Sequence, residues 1–270
     1  MTTQREIIPA PLPILFGLKP EWEAALHRSA DVARFAVEMA DLRTADLSGY
    51  AAIVPLNLPD HEVLERADLP ALPVPRSIRQ LCHDKVNLNR RLIDLGFGDH
   101  VPRMPDQIPQ DLSSNPVILK PRRGAWGRGA ALLQAGAKLE VAEAALIEGT
   151  HFLQDLVPGR IEYAAHVLVH RGMPCFWQVN EYDMGDKPVV KGIDGKPRAS
   201  RWLPNVPGQD TLTAILRAIG FDQGTCCVDY RIVDGRVRLF EINPRFGGSL
   251  AWHVMPYLEA YLGCLDGRGL

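Results

Sequence analysis

The sequence of 270 residues has only five cysteines, Cys82, Cys175, Cys226, Cys227 and Cys264, and none forms a Cys-x-x-Cys pair. An odd number spread over a chain of this length excludes a disulfide framework, so the thiols are expected to be reduced and mostly buried. No apolar run approaches the roughly 18–20 residues that a membrane span requires. The opening MTTQREIIPAPLP has no continuous apolar stretch after its charges, so no signal peptide is expected and a cytoplasmic location is. Excess charge of one sign is also missing: 30 basic residues face 32 acidic ones, for a net charge of −2. That balance gives no global field to hold a polyanion or an anionic membrane surface, which argues against nucleic acid and membrane partners. Lysine itself is scarce, with seven (positions 19, 85, 120, 138, 187, 191 and 196) against 23 arginines. What is present is ordinary for a globular protein: 46% hydrophobic and 23% charged residues can bury one substantial core or two modest ones.

The chain opens with alternating strand and helix signals. Pro13–Gly17 and Ala51–Leu56 read as short buried strands, Glu21–Arg28 as a helix, Val32–Val37 as a second apolar run, and Asp60 as the cap of a helix through Arg66. This pattern predicts a small Rossmann-like α/β domain with a parallel sheet. The turn Gly17-Leu18-Lys19-Pro20 lacks the glycine spacing of a dinucleotide fingerprint. The Pro-rich stretch Leu69–Pro75 predicts a boundary near 75–80. Beyond it, Asp84 is placed to cap a helix that carries Lys85 at its start and stops at Gly96. Pro116–Pro121 and Ala130–Leu133 read as a β-hairpin with a glycine-bearing tip. A mixed sheet follows, from Phe152–Val157, Ile161–His170, Cys175–Asn180, Cys226–Val233 and Val237–Ile242, with helices at Thr211–Ile219 and Leu250–Leu262. Residues 183–208 form a long stretch rich in Gly, Pro, Lys and Arg, either functional or a solvated excursion.

Two constellations carry chemistry. The hairpin tip Lys120-Pro121-Arg122-Arg123-Gly124-Ala125-Trp126-Gly127-Arg128-Gly129 fits neither the dinucleotide nor the P-loop pattern. Its glycines can bring backbone N–H groups close to a polyphosphate, or it is a surface hairpin with solvated arginines. The second constellation pairs Cys227-Val228-Asp229-Tyr230-Arg231 with Phe240-Glu241-Ile242-Asn243-Pro244-Arg245 across the tight Asp234-Gly235 turn. Strand alternation puts Glu241 and Asn243 on one face beside Asp229, with Phe240 and Ile242 on the other. Two carboxylates and an amide are hard oxygen ligands that suit Mg²⁺ shared with substrate phosphates, unless the face is simply solvated. His166, His170 and His253 read as packing or surface residues, and Cys226-Cys227 as structural.

In order along the chain, Asp84-Lys85, Lys120-Pro121 with its glycine loop, Gln154-Asp155-Leu156-Val157-Pro158-Gly159, Glu162, Asp229 and Glu241-Ile242-Asn243-Pro244-Arg245 resemble the motifs of the ATP-grasp superfamily. The resemblance covers about residues 80–250, and the segment before it resembles a pre-ATP-grasp domain. It implies an α+β/α/β architecture: a Rossmann-like domain (1–80), a small lobe with the glycine loop (81–153) and a large lobe with the Mg²⁺ site (154–270), the two lobes gripping ATP. It implies that Lys85 and Lys120 contact the nucleotide phosphates and that Gly124, Gly127 and Gly129 belong to a lid over them. Gln154, Asp155, Leu156 and Val157 match the hinge that meets the adenine edge, and Glu162 the acid on the ribose. Asp229, Glu241 and Asn243 match the ligands of Mg²⁺ (or Mn²⁺), while Arg245 and Lys120 act on the phosphoryl group in transfer.

One departure stands out: members resembling D-alanine ligases carry arginine two positions before the first metal ligand, where this chain has Cys227. The implied reaction activates a carboxylate as an acylphosphate and joins it to an amine. Alternatives are an ATP-dependent small-molecule phosphotransferase and a nucleotide-binding module without turnover. The partners expected are a small carboxylate and an amine. The chain is short for the family, so a second copy in a homodimer is a further possible partner.

Overall fold

The computed structural model describes residues 10–66, 68–124, 127–186 and 196–267. Its elements form three sheets. The first is parallel, in the order β2-β1-β3, from β1 (Leu12–Gly17), β2 (Phe35–Ala40) and β3 (Ala52–Val54), with α1 (Pro20–Ser29) connecting β1 to β2 and α2 (Leu58–Leu64) following β3. Ile14, Leu15 and Phe16 are fully buried, as a continuous apolar strand in a parallel sheet requires. The second apolar run begins later than its composition predicts: Val32 is exposed and the strand starts at Phe35. Asp60 works from inside α2, where its carboxylate accepts the N–H groups of Leu56 (2.9 Å) and Asn57 (2.8 Å).

The proline-rich stretch leads directly into α3 (Arg76–His83), which sequence reading left out. Pro75 sits at its N-cap, where a residue without an N–H is tolerated. Next, α4 (Lys85–Asp94) starts where predicted, with the Asp84 carboxylate accepting the N–H groups of Val86 (3.1 Å) and Asn87 (3.2 Å). The second sheet, antiparallel in the order β5-β4-β6, comprises β4 (Val117–Pro121), β5 (Ala131–Leu133) and β6 (His151–Asp155), with α5 (Glu140–Ile147) before β6.

The third sheet is antiparallel in the order β11-β10-β7-β8-β9. It contains β7 (Ile161–His170), β8 (Met173–Asp183), β9 (Ala199–Leu203), β10 (Gly224–Val233) and β11 (Arg236–Asn243), with α6 (Gln209–Ala218) between β9 and β10. Strand β9 lies within the stretch read as a loop. Alternation sorts this sheet into two faces. Ala165 and Val167 of β7, and Cys226, Val228 and Tyr230 of β10, enter a core with α3, α4 and α6. Glu162, Ala164 and His166, with Cys227, Asp229 and Arg231, take the other face.

A short 3₁₀ stretch, Gly248–His253, precedes α7 (Val254–Leu265), where sequence reading had one helix. Tyr257 and Tyr261 of α7 share a core with Phe16, Trp22 and Phe246. The Tyr261 hydroxyl donates to the Ile53 carbonyl at 2.9 Å and accepts the Leu72 N–H at 2.6 Å, so the last helix is bonded to the first sheet. All five cysteines are free; four are buried, and the half-buried Cys175 stands 3.0 Å from Cys264, Sγ to Sγ. No helix among the described residues is long and apolar enough to cross a membrane.

Candidate active site

A cleft of about 380 Å³ lies between the second and third sheets. Lys85, Lys120, Gly124, Gly127, the run Gln154–Val157, Glu162, Asp229, Glu241, Asn243 and Arg245 all line it. Residues 160 positions apart in sequence therefore share one cavity. Gly129 does not line it: it stands at the base of the hairpin loop with φ +78°, and an added Cβ would lie 3.6 Å from His151 Nε2. Its part is to turn the chain, which also takes positive φ at Gly124 and Gly127. Trp126 of the hairpin tip and 187–195 of the basic stretch lie outside the described residues.

The lysines approach from the second sheet and its neighbouring helix. Lys85, at the start of α4, donates from Nζ to the Gly124 carbonyl at 2.8 Å and pairs with Glu241 at 3.4 Å. Its backbone N–H donates to the Arg122 carbonyl at 2.9 Å, and Arg122 returns a 2.8 Å bond to Asp84. The root of the glycine loop is thus tied to the N-terminus of α4. Burial works against ionisation of Asp84, but Arg122 and the capping N–H groups outweigh it and hold the carboxyl below its ordinary range. Lys120, on β4, donates to Gln154 Oε1 (3.0 Å) and the Phe240 carbonyl (3.4 Å). Burial draws its ammonium below the usual lysine range, against the attraction of Glu241.

The carboxylates come from the third sheet. Asp229 and Glu241 are cross-strand partners on β10 and β11, and the Asn243 amide donates to both, at 3.3 Å to Asp229 and 2.8 Å to Glu241. Simple alternation fails at this point. The register passes from Asp229↔Glu241 to Tyr230↔Leu239, leaving Phe240 as the extra residue of a β-bulge. Phe240 therefore lines the cleft beside Glu241 and does not pack with Ile242 in the core. Among the described residues, no three His, Cys, Asp or Glu side chains converge as a metal site. Two carboxylates with one amide make an incomplete set of hard ligands, the chemistry of a site that a phosphate completes.

Several lining residues escaped sequence reasoning. Arg231 donates to the Val157 carbonyl at 2.7 Å, stands 3.6 Å from Glu162, and lies over the Phe240 ring at 5.7 Å. Burial lowers its pKa from the ordinary arginine value, with Glu162 opposing. Its position two residues past Asp229 on a strand was the available signal. At the other end, Cys227, Gly247, Gly248 and Ser249 line the wall next to Asn243. His166, fully buried on β7, meets Ser249 Oγ at 2.8 Å through Nε2, so it reaches the cleft wall through that serine and is not only a packing residue. Burial pushes the neighbouring Cys226 thiol well up, as expected of a structural cysteine.

No protein-family model and no curated protein matches the sequence. Solved structures do match. An L-amino acid ligase from Bacillus licheniformis aligns with a TM-score of 0.62 at 16% identity, over 92% of this chain and 70% of that one. A D-alanine–D-alanine ligase from Bacillus anthracis complexed with ATP aligns with a TM-score of 0.60 at 12% identity, over 96% and 99%. The D-cycloserine synthetase DcsG aligns with a TM-score of 0.60 at 16% identity, over 96% and 100%. At such identities the likeness concerns the fold, and it agrees with the order of motifs along the sequence: the chain has the ATP-grasp fold.

Proposed function

We propose that this protein is an ATP-dependent ligase that activates a small carboxylate as an acylphosphate and joins it to an amine, releasing ADP and phosphate. The observation that carries this reading is the convergence of Lys85, Lys120, Asp229, Glu241, Asn243 and Arg245 on one cleft that Gly124 and Gly127 also line. Phosphoryl transfer asks the protein mainly for charge neutralisation and in-line positioning. Lys85 and Lys120 supply positive charge to the triphosphate from one side. Asp229, Glu241 and Asn243 would hold Mg²⁺ from the other, with Asn243 turning its amide oxygen inward. Held there, Mg²⁺ would supply neutralising charge to the phosphate being transferred. The site's two carboxylates fit an ion completed by phosphate better than one held by protein alone.

The hinge backbone is already partly committed. The Asp155 and Leu156 N–H groups donate to the Arg103 and Pro116 carbonyls, and the Val157 carbonyl accepts from Arg231. This leaves the Val157 N–H to donate to the adenine edge, with Glu162 accepting from the ribose. Arg245 then faces the transferring phosphoryl group, and the carboxylate substrate enters along Cys227, Gly247 and Ser249. An acylphosphate hydrolyses in water, so the glycine loop over the site serves to exclude it. The assignment divides the chain as 1–80, 81–153 and 154–270, with α7 of the last part completing the core of the first.

A screen with Mg-ATP, a panel of small carboxylates and hydroxylamine tests this. Hydroxamate formed together with ADP is the expected result. A stable phosphorylated product without hydroxamate would instead make the protein a phosphotransferase, and nucleotide binding with no ADP under any condition would make it a binding module.

A further inference from the structure

Arg231 is a charged side chain at the cleft to which the motifs of the chain give no role. It is only 6% exposed, and its guanidinium joins three separate pieces of the nucleotide wall. Nη1 holds the Val157 carbonyl beyond β6, Nη2 stands against Glu162 at the start of β7, and the plane covers Phe240 in the β11 bulge. Its Nε is buried and makes no hydrogen bond among the described residues. Apolar residues of similar volume commonly stabilise such a position as well as a buried ion pair does. The arrangement therefore asks for a purpose besides stability.

We infer that Arg231 is a positioning residue that selects ribonucleotides, holding the Glu162 carboxylate so that it accepts from the 2′- and 3′-hydroxyls of a bound nucleotide. The inference rests on the ATP-site reading above. A glutamate at the start of a strand has three rotatable bonds, and fixing it before the ligand arrives removes an ordering cost from binding. Its neutralising partner also keeps the carboxylate from repelling the triphosphate nearby. The fork of an arginine can meet a carbonyl and a carboxylate at once, which a lysine's single ammonium cannot reproduce with the same geometry. The Phe240 bulge supplies the flat surface that fixes the guanidinium plane, which gives the local break in strand alternation a function.

Calorimetric titration with Mg²⁺ present, using ATP, 2′,3′-dideoxy-ATP and inorganic tripolyphosphate as probes, tests the proposal on the wild type, Arg231→Met and Arg231→Lys. The wild type should prefer ATP over the dideoxy analogue by about tenfold or more, the scale of a lost charged hydrogen-bond pair. Arg231→Met should reduce that preference below about threefold while holding tripolyphosphate within about twofold of wild type. A purely structural role would weaken all three probes alike, and that outcome overturns the inference. So does an Arg231→Met protein that keeps the full preference. If Arg231→Met gives no cooperative melt, Arg231→Lys decides: a preference well below wild type supports positioning, and the wild-type preference contradicts it. A wild type that binds no ATP would refute the underlying site reading, whereas ATP binding without diol preference would refute the role given to Glu162 and Arg231 alone.

Discussion

Glu241 is placed to act in two ways at once, pairing with Lys85 at 3.4 Å and accepting from Asn243 at 2.8 Å beside Asp229. Its replacement by alanine removes one of the two carboxylates proposed to hold Mg²⁺ and leaves the hydrophobic core intact. Glu241→Ala should lower ATP turnover by about a hundredfold or more, the scale of lost metal-ion charge stabilisation. Its melting temperature should stay near wild type. ADP release assayed beside a thermal melt checks both, and near-normal turnover would mean that the metal ligands are misplaced. At this scale the sequence was most readable where a side chain works through its type and spacing. Asp229, Glu241 and Asn243, read that way, do line one cleft together. Arg231 was not visible because its role depends on partners 69 and 74 positions away in Glu162 and Val157.

Elements make the residues meet, and the loop after β11 shows what that requires. Gly247 has φ −96°, an angle open to any residue, so glycine is not needed there for its backbone freedom. It is needed for space: an added Cβ would lie 2.4 Å from His166 Cε1 and 2.6 Å from Nδ1. Gly247→Ala should cost about 1–3 kcal/mol by overpacking, read as a lowered midpoint in urea. Pairing it with His166→Ala should recover part of that loss, and strict additivity of the two would contradict the steric account. Local signals located most elements correctly, including the Asp84 cap of α4 and the Asp234-Gly235 hairpin. They failed where pairing between strands decides the outcome. The bulge at Phe240 exists only in the register of β11 against β10, and β9 forms only because β8 offers it an edge. The proline-rich lead to α3 misled for another reason, since a proline ends one element and can equally precede the next.

Across the whole molecule, the first sheet and the last helix share one core, so stability should respond to groups remote from the cleft. His61 is fully buried on α2, accepts the Val74 N–H at 3.0 Å, and has its pKa lowered to about 3 by burial with help from Arg79. A lowered folded-state pKa favours the neutral form, so its stabilisation is complete above the unfolded value of about 6.5 and is lost as pH falls toward 3. Between pH 7.5 and 5 this amounts to about 2 kcal/mol. His61→Asn, which keeps an acceptor for Val74, should be flatter over that range by about the same amount in urea unfolding. An unchanged pH slope would show that His61 is not buried neutral. The proposed function makes one central chemical claim, that an oxygen of the substrate carboxylate attacks the terminal phosphorus of ATP. The direct measurement is to run the reaction on the active carboxylate labelled with ¹⁸O and examine the released phosphate by ³¹P NMR. Label transferred to inorganic phosphate is the predicted result, and phosphate carrying no label would contradict the acylphosphate route.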